Sequence, residues 1–166
     1  MSNKTRIVTL VVAAIIVLDQ VTKIIVVDTL HLHQSVPVIE SFFHLVHVRN
    51  TGAAFSLFAD MPAWFRQPFF FIATGVAVVA LLLFLRHTEG VSPLFVVAVA
   101  AILGGALGNL IDRIRYGEVI DFVLLHWRGY HWPAFNVADA CITLGVIGLL
   151  WSSMRENRVE TQRHYS

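Results

Sequence analysis

Asp121 and Asp139 are the residues of this sequence best suited to do chemistry. Asp121 lies in Val119-Ile120-Asp121-Phe122-Val123-Leu124-Leu125, with apolar residues on both sides. No capping position or local charge pair accounts for it, and a carboxylate so flanked is expected to be desolvated. Asp139 closes the run Phe135-Asn136-Val137-Ala138-Asp139 at the start of an apolar segment. Two carboxyl groups in contact do not both ionise easily, so they share a proton. The ionised one can draw a proton from a water held between them. The protonated one can polarise a carbonyl and later serve the leaving amine. Such a pair hydrolyses a peptide bond with neither metal nor covalent intermediate, provided the two side chains meet.

Rival chemistry finds little support. No Gly-x-Ser-x-Gly is present, and Cys141, the single cysteine, sits in an apolar run without an evident base. The paired histidines His31/His33, His44/His47 and His126/His131 form no His-Glu-x-x-His pattern. No metal and no cofactor are expected.

The elements that must position the two aspartates are membrane spans. The chain has 166 residues, 57% hydrophobic and 14% charged, with a mean hydropathy of +0.71. A soluble domain carries roughly a quarter charged residues, and a chain this short cannot bury so much apolar surface in its own core. The excess faces lipid. A formal charge of +1 leaves no footprint for nucleic acid. Spans need about 20 apolar residues, and four segments qualify, near 7–27, 69–86, 91–111 and 134–154, in one membrane domain over 1–166. Lys4 and Arg6 before Ile7–Leu18 look like the start of a secretory signal peptide. Asp19–Lys23 follows without a small-residue cleavage site and the apolar run resumes, so the first span is expected to be retained. Between spans one and two, Val36–Arg49 alternates in part and predicts strand. Trp127, Tyr130 and Trp132 in the last connection suit a membrane interface.

Depth brings the polar residues together. Asp19 and Lys23 lie near the far end of span one; Asn109, Asp112 and Arg113 near the far end of span three. Asn136 and Asp139 start span four, while Asn50 and Asp121 occupy the long connections. All collect at one membrane face. Charges within spans are costly and by default point to function. Simpler readings exist for several: Asp19 and Lys23 suit an i,i+4 ion pair, Asn109, Asp112 and Arg113 a solvated helix end, and Asn136 with Asp139 a helix cap. Gly104 and Gly108 allow close approach of another helix, which would draw Asn109 toward the site. Four spans put both termini on one side, with Lys4, Arg6, Arg86, Arg155, Arg158 and Arg163; the other side has Arg49, Arg66, Arg113, Arg115 and Arg128. Six against five barely favours cytoplasmic termini. A proton-relaying transporter and a non-enzymatic assembly factor docking through its glycines are the alternatives, and a relay should cross the membrane rather than occupy one half.

The motifs themselves resemble a known family. Leu18-Asp19-Gln20-Val21-Thr22-Lys23, Asn50-Thr51-Gly52-Ala53-Ala54-Phe55, the run from Gly104 to Arg113, Val119–Phe122 and Phe135–Asp139 resemble, in order and spacing, the signatures of the lipoprotein signal peptidases, or signal peptidase II. The resemblance implies an all-α membrane protein of four spanning helices, with a small β platform and a short helix on the non-cytoplasmic side. It implies an aspartic endopeptidase of the bacterial cytoplasmic membrane with Asp121 and Asp139 catalytic. Asn50, Asn109, Arg113 and Asn136 match residues lining the family's site, and Asp19, Lys23 and Asp112 match supporting positions. The substrate would be a prolipoprotein carrying a diacylglyceryl-cysteine, cut before that cysteine, and the acyl chains could remain in lipid. The termini would be cytoplasmic and the site near the outer leaflet. Arg49–Gly52 is expected to help hold the extended peptide, since Asn and Gly suit close backbone approach. A monomer is expected.

Overall fold

Among the described residues, four helices are long and apolar enough to cross a membrane: α1 (Asn3–Thr29), α2 (Ala63–His87), α3 (Pro93–Tyr116) and α4 (Val137–His164), the last apolar enough to cross over Val137–Arg155. A computed structural model describes residues 2–52, 57, 58, 60–88 and 90–164, with side chains as far as Arg155. Ala53, Ala54 and Phe55 of the second motif lie outside the described residues. Four strands, β1 (Ser35–Ile39), β2 (Phe43–Asn50), β3 (Val119–Trp127) and β4 (Tyr130–His131), make one antiparallel sheet in the order β1-β2-β3-β4. The short extramembrane helix implied by the resemblance is not among the elements of the described residues.

The ends of the helices follow from local chemistry. Ser2 caps α1 by accepting from the Thr5 N–H, and Ser92 caps α3 from the Phe95 N–H, with Pro93 in its first turn. Gly117, at φ 74°, closes α3 in the left-handed conformation that glycine adopts without a Cβ penalty. That stop lies five residues beyond the expected 111, because the helix continues through the charged Asp112–Arg115 after hydropathy has fallen. For the same reason α2 starts at Ala63, upstream of 69. The fourth span begins later than expected, at Val137, because Phe135 bridges Val123 of β3.

α3 is the central helix. It packs on α1, α4 and α2, and its Val99, Ala100 and Leu103 are buried. Small residues make this possible. A Cβ on Gly105 would come within 2.4 Å of the Ala138 carbonyl oxygen, and one on Gly108 within 2.7 Å of Asp19 Oδ2. Gly104 lies against Ile15, where a Cβ would meet side-chain carbon at 3.0 Å. The expectation that Gly104 and Gly108 admit a neighbour is met by α1, while Gly105 admits α4. Outward-facing residues such as Val17, Ile72, Val76 and Leu144 stay well exposed, as a lipid-facing surface requires.

The segment 36–49, expected as strand, is the β1–β2 hairpin, with Ser35 opposite Val46 and Pro37 opposite His44. β3 adds to β2, with Asp121 opposite Val48 and Val119 opposite Asn50. Ile120 and Phe122 of β3 pack with Val26 of α1 in a small apolar cluster that seats the sheet on the helix ends.

Candidate active site

The site forms where the C-terminal ends of α1 and α3, the N-terminus of α4 and the start of β3 converge. Its floor is ionic. The Lys23 ammonium lies 2.9 Å from Asp19 Oδ2 and 2.7 Å from Asp112 Oδ2, and all three residues are essentially buried, at 1%, 0% and 0% exposure. Asp19 and Lys23 do form the expected i,i+4 pair, but Asp112 joins it. The solvated helix end expected for Asn109 and Asp112 is corrected by their burial: α1 and α4 cover that face of α3.

Each acid of this floor also fixes another element. Asp19 Oδ1 accepts the Ala138 N–H at 3.0 Å, in the first turn of α4. Asp112 Oδ2 accepts the Ile120 N–H at 3.2 Å, immediately before Asp121. Gln20 donates to Asp112 Oδ1 at 3.0 Å and more weakly to Asp19 Oδ2 and the Gly108 carbonyl. The functional reading of the sequence passed over Gln20; an amide inside an apolar span, next to a buried acid, is the signal that could have found it.

Above the floor sits a layer of amides. Asn136 and Asp139 form a reciprocal cap: the Asp139 N–H donates to Asn136 Oδ1 at 2.9 Å, and the Asn136 N–H to Asp139 Oδ2 at 3.3 Å. The capping reading is therefore right as far as it goes. The Asn136 Nδ2 group also donates to Asp121 Oδ1 at 2.8 Å, to the Ile120 carbonyl at 3.2 Å and to Asn109 Oδ1 at 3.1 Å. Asn136, fully buried, thus contacts both aspartates. Asn109 Nδ2 donates to Asp139 Oδ1 at 2.8 Å, and Asn50 Nδ2 to Asp121 Oδ2 at 3.0 Å.

Asp121 is 1% exposed. Burial, and then the negative charge of Asp139, push its carboxyl up to about 7, against the hydrogen bonds from Asn50 and Asn136. Asp139 is half-buried, as are Asn50 and Arg113, so the amide layer opens to the outside along one edge. Arg113 stands at that edge. It donates to the Gly52 carbonyl at 2.9 Å, lies 4.4 Å over the Phe70 ring and interacts electrostatically with Asp139 and Asp121. The Gly52 N–H donates to Asn50 Oδ1 at 2.9 Å, turning the chain back beside Asp121. The residues that the resemblance assigned to the site, and Gly52 with them, belong to this one network. Arg49 does not reach it, lying instead 5.1 Å from the Tyr116 ring centre.

Four spanning helices that gather buried acids and amides at one end, beneath a small sheet, define a multi-pass membrane enzyme working with carboxyl groups. The family model described as Signal peptidase (SPase) II matches residues 11–155. The lipoprotein signal peptidase of Syntrophotalea carbinolica is 50% identical over 151 residues, covering 91% of this chain and 92% of that protein. That of Geobacter sulfurreducens is 47% identical over 153 residues, covering 92% and 94%. Among solved structures, a bacterial membrane enzyme determined by the in meso method at 2.3 Å is 34% identical, with a TM-score of 0.81 over 90% of this chain and 88% of that one. The chain belongs to the lipoprotein signal peptidase (signal peptidase II) family, bacterial membrane proteases of aspartic type that cleave signal peptides from prolipoproteins.

Proposed function

We propose that Asp121 and Asp139 are the catalytic pair of this peptidase, and that its substrate is a prolipoprotein carrying a diacylglyceryl-cysteine, cut just before that residue. The observation that carries this reading is Asn136, whose side chain and backbone N–H reach both carboxyl groups at once. With one proton between them, the ionised member takes a proton from water as its oxygen attacks the scissile carbonyl carbon. The protonated member gives its proton to the carbonyl oxygen. In the second half, the carboxyl group that took the water proton gives it to the leaving nitrogen as the C–N bond breaks, and the other carboxylate takes a proton back from a hydroxyl of the tetrahedral intermediate as the new carbonyl forms, which restores the starting protonation. Asn50, Asn109 and Asn136 hold the carboxyl groups, while Arg113 and Gly52 border the edge where an extended peptide would lie.

The lipid requirement follows from placement. A substrate anchored by acyl chains reaches a site at the bilayer edge by lateral diffusion, with its chains still in lipid. In this reading the protein is one membrane domain acting as a monomer, with cytoplasmic termini and the site near the outer leaflet. The test is cleavage in detergent of a lipidated precursor and its unlipidated counterpart. Asp121→Asn and Asp139→Asn should each lower kcat by at least about a thousandfold, in line with loss of a member of a catalytic unit. Substantial cleavage by either variant would rule out the pair, and equal cleavage of both precursors would rule out lipid recognition.

A further inference from the structure

A lysine has three N–H donors, and Lys23 has an acceptor for each. Two are the carboxylates that balance its charge, Asp19 at 2.9 Å and Asp112 at 2.7 Å. The third is a neutral amide oxygen, Asn109 Oδ1, at 3.1 Å. That same oxygen accepts from Asn136 Nδ2 at 3.1 Å. An amide with two donors on its oxygen has only one satisfactory orientation, and its Nδ2 then points away from both. On that side lies Asp139 Oδ1, at 2.8 Å. Were the Asn109 amide to turn over, its NH2 group would face an ammonium and another NH2 group, and its oxygen would face a carboxylate. Asp139 Oδ2 is meanwhile held by the Asn136 N–H, so the Asn109 donor completes the clamp on this carboxyl group.

We propose that Lys23 is a positioning residue for the hydrolysis: by holding Asn109 Oδ1 it keeps the Asn109 N–H aimed at Asp139, and so fixes that carboxyl group in its reacting orientation. The inference rests on the assignment of Asp121 and Asp139 as the reacting pair. At 1% exposure Lys23 has no surface for substrate, so its effect is confined to turnover. It is a separate task from joining α1 to α3, which the ion pair with Asp112 performs.

The test measures kcat and KM separately for the full-length protein in detergent, on a lipidated precursor. Lys23→Met and Asn109→Ala should each lower kcat by about tenfold or more while KM stays within about twofold, and the double variant should fall no further than Asn109→Ala alone, since the two changes cut one chain of contacts. Losses that multiply would show Lys23 acting independently of Asn109 and would overturn the proposal. Because Lys23→Met strips the cation from two buried acids and can prevent folding, Asn109→Asp supplies a second reading. A carboxyl group at that position still accepts from Lys23 and Asn136, but it donates to Asp139 only when protonated. Its kcat should be about a hundredfold low near pH 8 and recover by about tenfold relative to the unsubstituted protein as the pH falls toward 5.5, with KM flat. A kcat profile parallel to that of the unsubstituted protein would overturn the proposal. Asp139→Asn, assayed alongside, separates the two levels. If it still cleaves, the catalytic pair itself is wrong; if it is inactive while Asn109→Asp follows the parallel profile, only the role of Lys23 and Asn109 falls.

Discussion

Asp121 experiences opposing influences. Burial and the neighbouring Asp139 favour its neutral form, while Asn50 and Asn136 donate to its oxygens and favour the charged one. The first two dominate and hold the group near 7. Since that value exceeds the roughly 3.9 of an unfolded aspartate, ionisation of Asp121 opposes folding. Its cost is absent below about pH 4 and grows as the pH rises toward 7. Activity follows the same group. A pair that works with one shared proton loses it on the alkaline side, so kcat/KM should fall with an apparent pKa near 7, a value that belongs to the pair. Asn50→Ala removes a hydrogen bond that lowers the pKa, so it should slow cleavage and move that limb to higher pH. A pH–rate profile of the variant decides the matter; a limb unmoved or shifted downward would contradict the part given to Asn50. The desolvation of Asp121 was legible in the sequence because nothing polar flanks it. The link from Lys23 to Asp112 was not, since it joins side chains of different helices that only the packing of α1 on α3 brings together.

Elements meet this closely because particular glycines face particular neighbours. Gly105→Ala would drive a methyl group toward the Ala138 carbonyl and the Ile142 side chain, at 2.4 and 2.7 Å. Ala138 also gives its N–H to Asp19, so the backbone there cannot yield without loosening the α4 cap. The variant should lose about 1–3 kcal/mol of stability through overpacking and lose activity with it, as read by thermal unfolding in detergent. Gly75→Ala, whose Cβ would meet nothing within 4 Å, should be neutral or stabilising by up to about 1 kcal/mol from helix propensity. Equal effects at the two positions would show that α3–α4 contact is not what Gly105 serves. The spans themselves were legible from length and hydropathy, which is why only their ends moved. The hairpin was not, because its turn at Glu40-Ser41-Phe42 has no Gly, Pro or Asn; Ser41 takes φ 61° in their place. β3 lacked an alternating pattern because residues 119–122 are all buried, and a strand covered on both faces shows no period of two.

At the scale of the whole molecule, chain direction puts the network of acids and amides on one side of the bilayer. The N-terminus of α1, the α2–α3 turn and the C-terminal end of α4 share one side; the sheet and the buried acids share the other. The basic residues divide almost evenly and do not choose between the two orientations. The proposed function does choose, since in that reading the precursor has begun to cross the membrane and its scissile bond lies at the outer face. The sheet should therefore be outside. Cysteine labelling tests this, with Cys141, the one native thiol, in the α4 span and only partly exposed. A cysteine replacing Tyr130, which is 81% exposed at the β3–β4 turn, should react with a membrane-impermeant maleimide in cells whose cytoplasmic membrane is intact. One replacing His87, exposed at the end of α2, should react only after the membrane is opened. The inverse pattern would put the acids on the cytoplasmic side, and lateral entry of a lipid-anchored substrate from the outer leaflet would then be impossible.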